Sequence, residues 1–462
     1  MQDSIRKFSV FIIGCFLIYS SYLIYLQLWK GPALSNNSAN PRSWLLEKRV
    51  IRGGIYAREG EKIAESIRLG EKISRYYPFG SLYAHLVGYH TRRLGKTGLE
   101  EVYDQELLGL KGSIIKNWVV RWGLKEVQGN DLHLTISHKL QERAWRLLAP
   151  YHGAAVVLNP QTGEILAMVS TPSFDPNAQN LEDSWEKLKK SPEHQLLNRA
   201  TAGLYPPGST MKIVTAAIGV QEFPQLPNDR FFCEGELEIQ GRRLRDLRAH
   251  GWVNLDRALA VSCNSYFGSL GLRLGASRFA NGLRDFGWGE GVPFELPGAP
   301  IPLREESFSN ANGLAEAAIG QGEILVSPLF MALVTGSLGN GGVMMKPYLV
   351  REIRSPEGAV IWKTQPQILR RAVPPAVAAR VREAMIEVVE RGTGTAATLP
   401  GIQVAGKTGS AENPEGPPHA WFIALAPAAQ PRVVVCVLIE HGGQGGKVAA
   451  PITRELLELA LS

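Results

Sequence analysis

Apolar residues along this chain fall into runs of two characters. The first run, Phe8 to Trp29, is 22 residues without a charge. As a helix it is about 33 Å long, enough for the hydrocarbon core of a bilayer. Gly31–Arg42, rich in Pro, Ser and Asn, reads as a linker. Later runs are shorter. Leu140–Leu148 has helical spacing. Ala154–Leu158 and Ile165–Val169 flank Asn159-Pro160-Gln161-Thr162-Gly163, a hairpin signal. A helix-like run, Lys212–Ile218, follows the Tyr205-Pro206-Pro207-Gly208 turn. Ile402–Ser410, Ala420–Leu425 and Val433–Ile439 read as successive antiparallel strands, and Pro451–Leu461 as a closing helix with proline in its first turn. The sum is an α+β fold: an antiparallel sheet of about five strands, helices on its faces, and a helical subdomain carrying residues 209 and 262.

Composition adds limits. At 462 residues and 45% hydrophobic, the chain can bury a sizeable core in more than one domain. The net charge of +7 comes from 50 basic and 43 acidic residues that are interspersed, so no nucleic-acid partner is expected. Arg6 and Lys7 ahead of the apolar run favour a cytoplasmic N-terminus and an extracytoplasmic body, on the periplasmic or outer face. A cleaved signal peptide is the rival reading, but its apolar region would be shorter and end in small residues. Tyr19, Tyr22, Tyr25 and Trp29 suit the outer interface. The four cysteines make no disulfide framework. No histidine–acidic cluster has metal-ligand spacing, so neither a metal nor another cofactor is expected. His419 reads as a satisfied surface or hairpin histidine.

Three short motifs carry the chemistry: Ser209-Thr210-Met211-Lys212, Ser262-Cys263-Asn264 and Lys407-Thr408-Gly409-Ser410. Each pattern has decoys, namely Ser4–Lys7, Ser113–Lys116 and Ser184–Lys187, Ser35–Asn37 and Ser38–Asn40, and Lys96-Thr97-Gly98. Context selects among them. Ser209 stands after a Pro-Gly break at a helix start, and Lys212 three residues on returns to the same face. A buried lysine there can activate the serine. Ser262 and Asn264, two apart in a loop between helix-like runs, can point into one cleft. Ser262 could relay a proton between Lys212, Lys407 and a leaving amine, while the Asn264 amide suits a substrate amide. Lys407, with the hydroxyls of Thr408 and Ser410 on an edge strand, suits a carboxylate. Gly409 leaves room for a ligand backbone. The amides of Ser209 and Ser410 are expected as oxyanion donors, worth about 3–4 kcal/mol each in comparable sites. Cys263 lacks an activating histidine and is not expected to be catalytic.

An S-x-x-K, an S-x-N and a K-T-G in this order resemble the catalytic set of penicilloyl serine transferases. From Val50 onward the chain resembles the class B penicillin-binding proteins. Arg52-Gly53-Gly54-Ile55-Tyr56-Ala57-Arg58-Glu59-Gly60 is similar to their pedestal motif, with Ala57 where an aspartate is usual. Tyr77-Pro78, His85–Gly88, Gly98-Leu99-Glu100, Gly129–Gln141, Gly163–Met168, Pro172–Asn177, His250-Gly251, Gly320–Gly322 and Arg391–Ala396 continue the likeness. Ser410 stands for the more usual threonine and keeps the hydroxyl. Relatives often hold a second cysteine between Cys233 and His250; Asp246 and Leu247 occupy that neighbourhood here, so Cys233 has no obvious partner.

The resemblance implies a β-lactamase-like transpeptidase domain over residues 131–462. Ahead of it come a cytoplasmic tail (1–7), a transmembrane anchor (8–29), a linker (30–42) and an extended β-rich pedestal (43–130). It implies a peptidoglycan D,D-transpeptidase whose catalytic residues are Ser209, Lys212, Ser262, Asn264 and Lys407. Its expected substrates are stem peptides on lipid-linked nascent glycan, its inhibitors β-lactams, and its partner a membrane-embedded glycan polymerase of the SEDS type. Two alternatives share the motifs. One is a non-catalytic anchor and pedestal that activates such a polymerase; the other is a serine β-lactamase, which leaves anchor and pedestal unexplained.

Overall fold

The computed structural model describes residues 2–31, 50–70, 72–110 and 127–462. The linker reading and the decoys at Ser35, Ser38 and Ser113 lie outside them. Asp3–Lys30 is a helix long and apolar enough, by length and composition, to cross a membrane. Its large side chains, such as Phe11, Phe16 and Ile18, are exposed.

The core is built on five antiparallel strands: β1 (Gly153–Leu158), β2 (Ile165–Thr171), β3 (Ala405–Asn413), β4 (Gly416–Ala426) and β5 (Val433–Ile439). They pair in the order β2-β1-β5-β4-β3, which leaves the K-T-G strand β3 at an edge. Every residue of β1 and β5 is buried. Alternation explains the unbroken apolar runs. Val433, Val435 and Val437 pack on helices His138–Leu148 and Gly445–Leu461, whereas Val434, Cys436 and Leu438 face Pro328–Gly339 and the helical subdomain. The closing helix begins at Gly445, six residues earlier than its proline suggests, with Pro451 inside it. A proline there costs about 3 kcal/mol locally; burial of Ala449, Ala450, Ile452, Leu456 and Leu457 on the sheet outweighs it.

A second sheet has six strands, in the order Val360–Lys363, Val350–Arg354, Asp131–Leu134, Ile55–Tyr56, Lys62–Leu69 and Lys72–Tyr76. Two of these come from far along the chain, so the sheet ties the N-terminal segment to the catalytic half. Ala57 is buried, and its N–H donates to Glu61 O, closing the turn through backbone alone. The Lys96-Thr97-Gly98 decoy is a strand-to-helix turn, with Gly98 at φ 61°.

Beside this sheet Glu100 is fully buried between the guanidiniums of Arg52 and Arg75. Burial would raise its pKa, but Arg75 and Arg52 outweigh burial and hold it down to about 2. The folded value lies below the unfolded one, so this stabilisation is present above the ordinary carboxylate range and lost as pH falls toward 2. Removing one member of a buried ion cluster strands the others. Glu100→Ala is expected to lower stability by about 3–5 kcal/mol, read as a shift in the urea midpoint of the detergent-solubilised chain; an unchanged midpoint would show that the cluster carries no stability.

Candidate active site

Ser209 sits on a 3₁₀ turn, Gly208–Met211, that feeds the buried helix Lys212–Glu222. The turn needs glycine at 208: φ is 52°, and a Cβ there would lie 2.9 Å from Ser410 O. The Ser209 turn and the K-T-G strand therefore meet backbone to backbone. Gly320 lies behind them; its Cβ would come within 2.0 Å of Gly208 O.

The second motif joins helices Leu255–Ala260 and Asn264–Phe286. Ser262 takes φ 59°, an uncommon conformation for a residue with a Cβ, with a cost of about 1–3 kcal/mol. Asp246 holds the loop in that shape. Its carboxylate accepts the N–H groups of Asn264 and Ser265 and the Ser265 hydroxyl.

The motifs converge on one hydroxyl. Lys212 Nζ lies 3.2 Å from Ser262 Oγ, 2.7 Å from Ser262 O and 2.6 Å from Asn264 Oδ1. Lys407 Nζ, coming from β3, lies 3.0 Å from the same Ser262 Oγ. Both lysines are fully buried. Burial pulls Lys212 down to about 8, with Asp246 opposing. Burial first, and the Lys212 charge second, place Lys407 well below the usual ammonium range. One amine of the pair is thereby available as a neutral base near neutral pH.

The expected site residues are also engaged by the protein itself. The hydrogen bonds of Lys212 run to the Ser262 loop. Asn264 is occupied on both sides, since its Nδ2 donates to Arg245 O at 2.8 Å while its Oδ1 receives Lys212. Thr408 is buried; its hydroxyl meets that of Thr393 at 2.6 Å and lies 3.3 Å from Lys407 Nζ. Gly409 makes room for the protein itself: a Cβ would come 3.0 Å from Pro207 O and 2.9 Å from Trp421 Cβ. Ser410 is exposed at the rim. His419 is a satisfied hairpin histidine but a buried one, its Nδ1 accepting from His441 N–H. Asp246 and Thr393 escaped the sequence reading as site residues, although one lies in the neighbourhood where relatives often hold a cysteine and the other in Arg391–Ala396.

A second cluster lies directly behind the Ser262 loop. Cys233, Asp246, His250 and Cys263 bring four donor atoms within 4.8 Å of one another. The expectation that no residues group for a metal rested on spacing along the chain. These donors come from separate segments that only the folded hairpins bring together. Two thiols, an imidazole and a carboxylate are a donor set that could hold a tetrahedral ion such as zinc. Cys233 is accordingly not isolated: its Sγ lies 3.4 Å from Asp246 and 3.5 Å from His250.

Comparison with known proteins agrees with this geometry. Residues 153–458 match the penicillin binding protein transpeptidase domain, and residues 52–131 the penicillin binding protein A dimerisation domain. Over all of this chain and 99% of the relative, it is 33% identical to the peptidoglycan D,D-transpeptidase PbpA of Mycolicibacterium smegmatis. It is 30% identical to MrdA of Acinetobacter baumannii, over 83% of this chain and 65% of that protein. The structure of penicillin-binding protein A from M. tuberculosis as a ceftriaxone acyl-enzyme superimposes with a TM-score of 0.84 at 33% identity, covering 90% of this chain and 100% of that one. The D,D-transpeptidase domain from Eggerthella lenta gives 0.81 at 35%, covering 89% and 98%. With three motifs gathered on one serine hydroxyl and a family match over most of its length, the chain belongs to the class B penicillin-binding proteins, serine acyltransferases of the peptidoglycan D,D-transpeptidase type.

Proposed function

We propose that Ser209 is the nucleophile of a two-step acyl transfer, and that Lys212, Ser262 and Lys407 form its proton path. The observation that carries this reading is Ser262 Oγ, held between two buried amines at 3.2 and 3.0 Å. The Ser209 oxygen attacks the penultimate D-alanine carbonyl of a stem peptide, and its proton passes to Lys212 as the tetrahedral centre forms. The oxyanion rests on the backbone N–H groups of Ser209 and Ser410. As the C–N bond breaks, the Ser262 hydroxyl protonates the departing D-alanine amine and is itself reprotonated from the lysine pair. An amine of a second stem then attacks the acyl-enzyme, releases Ser209 and forms the crosslink. Lys407, Thr408 and Ser410 present the edge of β3 to the donor's terminal carboxylate, with Gly409 keeping that edge close to the nucleophile turn. Asn264 fixes Lys212. A β-lactam presents the same carbonyl and carboxylate and acylates the same oxygen.

The organisation that suits this chemistry is an anchor at residues 8–29, a pedestal at 43–130 and a transpeptidase domain at 131–462. Arg6 and Lys7 favour a cytoplasmic tail, with the site on the other side of the membrane. A membrane-embedded glycan polymerase of the SEDS type would supply the nascent strand as partner.

Incubation with fluorescent penicillin tests the nucleophile. The full-length chain is expected to hold the label after free drug is removed, and Ser209→Ala to take none; rapid loss of label with drug turnover would instead identify a β-lactamase. Lys212→Ala is expected to slow acylation by about 10²-fold or more, and acylation near the wild-type rate would remove Lys212 from the base role. Because the amine must be neutral to accept the proton and its pKa lies at about 8, the acylation rate is expected to rise as pH increases toward and through that value. A flat profile over that range would contradict the assignment.

A further inference from the structure

The nucleophile turn is tied to the central sheet by groups outside the three motifs. Tyr205, four residues before Ser209, is buried with its ring edge-on to His419, centroids 5.6 Å apart, and to Trp421 at 6.3 Å. Both partners belong to β4. The Tyr205 hydroxyl donates to Glu440 Oε1 at 2.6 Å, just past the end of β5. The next residue is tied as well, since Trp421 Nε1 donates to Pro206 O at 3.0 Å. On its other side Tyr205 exchanges backbone hydrogen bonds with Val326.

Glu440 is in turn fixed by Arg199. That side chain is 2% exposed and places Nε 2.9 Å from the same Oε1. Its two Nη groups donate to His194 O and Glu193 O, so the guanidinium has no freedom to follow a moving turn. Burial tends to raise the carboxyl pKa, but hydrogen bonds from Tyr205 and Arg199 hold it below the usual range, so Glu440 is an anion at neutral pH. A charged acceptor makes the phenol hydrogen bond stronger than a neutral one.

We propose that Glu440, acting through Tyr205, is a positioning residue for the nucleophile. It holds the turn where Gly208 abuts Ser410 and where Ser209 meets both its base and its oxyanion donors. Neither Tyr205 nor Glu440 reaches the reacting atoms, so their effect falls on the acylation step and not on drug or substrate capture. The proposal rests on Ser209 as nucleophile.

Rapid-mixing acylation of the detergent-solubilised full chain by fluorescent penicillin separates the maximal acylation rate from the dissociation constant of the pre-acylation complex. Tyr205→Phe and Glu440→Gln are each expected to lower the maximal rate on the order of 10-fold, since displacements below 1 Å suffice, with the dissociation constant within about two-fold of wild type. The double variant is expected to fall no further than the worse single, because both act through one hydrogen bond. Thermal unfolding of each variant confirms that it is folded. Should Glu440→Gln fail to fold, Tyr205→Phe decides alone, as it leaves the Arg199–Glu440 pair intact. A wild-type maximal rate in folded Tyr205→Phe, a change confined to the dissociation constant, or multiplying effects in the double variant would overturn the proposal. Label persisting in a Ser209→Ala control would instead overturn the nucleophile assignment.

Discussion

Two lysine amines buried around one serine hydroxyl set the terms for the rest of this molecule. Among the described residues neither Lys212 nor Lys407 has a carboxylate in hydrogen-bond contact; their partners are hydroxyl, carbonyl and amide oxygens. Burying two like charges in that way is prohibitive, so the fold favours a state in which the pair shares fewer protons than two free lysines would. The desolvation that is costly for stability is what supplies a base near neutral pH. It holds only while the helix of Lys212, the loop of Ser262 and the edge strand of Lys407 stay packed, for water entering between them would restore both charges.

The scaffold answers that requirement with rigid parts. Ser262 adopts a left-handed backbone conformation that an isolated loop would leave, and Asp246 holds it by accepting two backbone N–H groups and a hydroxyl at the start of helix Asn264–Phe286. Asp246 also carries charge toward Lys212, opposing the effect of burial and keeping that amine more readily protonated than Lys407. The donor cluster behind the loop shares the same carboxylate. The residue that shapes the Ser262 loop therefore also sets part of the charge felt by Lys212.

Much of this was legible in the chain because its strongest signals are local. Val433–Ile439 is apolar at every position because both faces of β5 are covered, and the Asn159–Gly163 turn marked the β1–β2 hairpin. The three motifs that meet at the Ser262 hydroxyl were separable from their decoys by what flanks them, since a helix start or a strand is itself a local pattern. What escaped depended on distant partners. Strands Val350–Arg354 and Val360–Lys363 join the sheet of residues 55–76 by pairing that no window of sequence contains. The four donors around Asp246 are separated by other segments, and Pro451 signals a helix start that sheet packing overrides. Gly409 was expected to leave room for a ligand backbone; in the fold, Pro207 O and Trp421 Cβ of the chain itself lie within 3.0 Å of where its Cβ would stand.

That last difference bears on how the site is assembled. If Gly409 only admitted a ligand, strand and nucleophile turn could be positioned independently. Instead the turn is pressed against β3 at Gly409, against Ser410 at Gly208, and against Gly320 behind it. Three glycines remove the three side chains that would hold these backbones apart, each at a conformational cost in the unfolded chain. The contact so gained brings the backbone of the turn against that of the strand without any side chain between them. Sheet and helical subdomain therefore meet at Gly208, Gly320 and Gly409, and a shift of either body against the other moves Ser209 relative to the Lys407 strand.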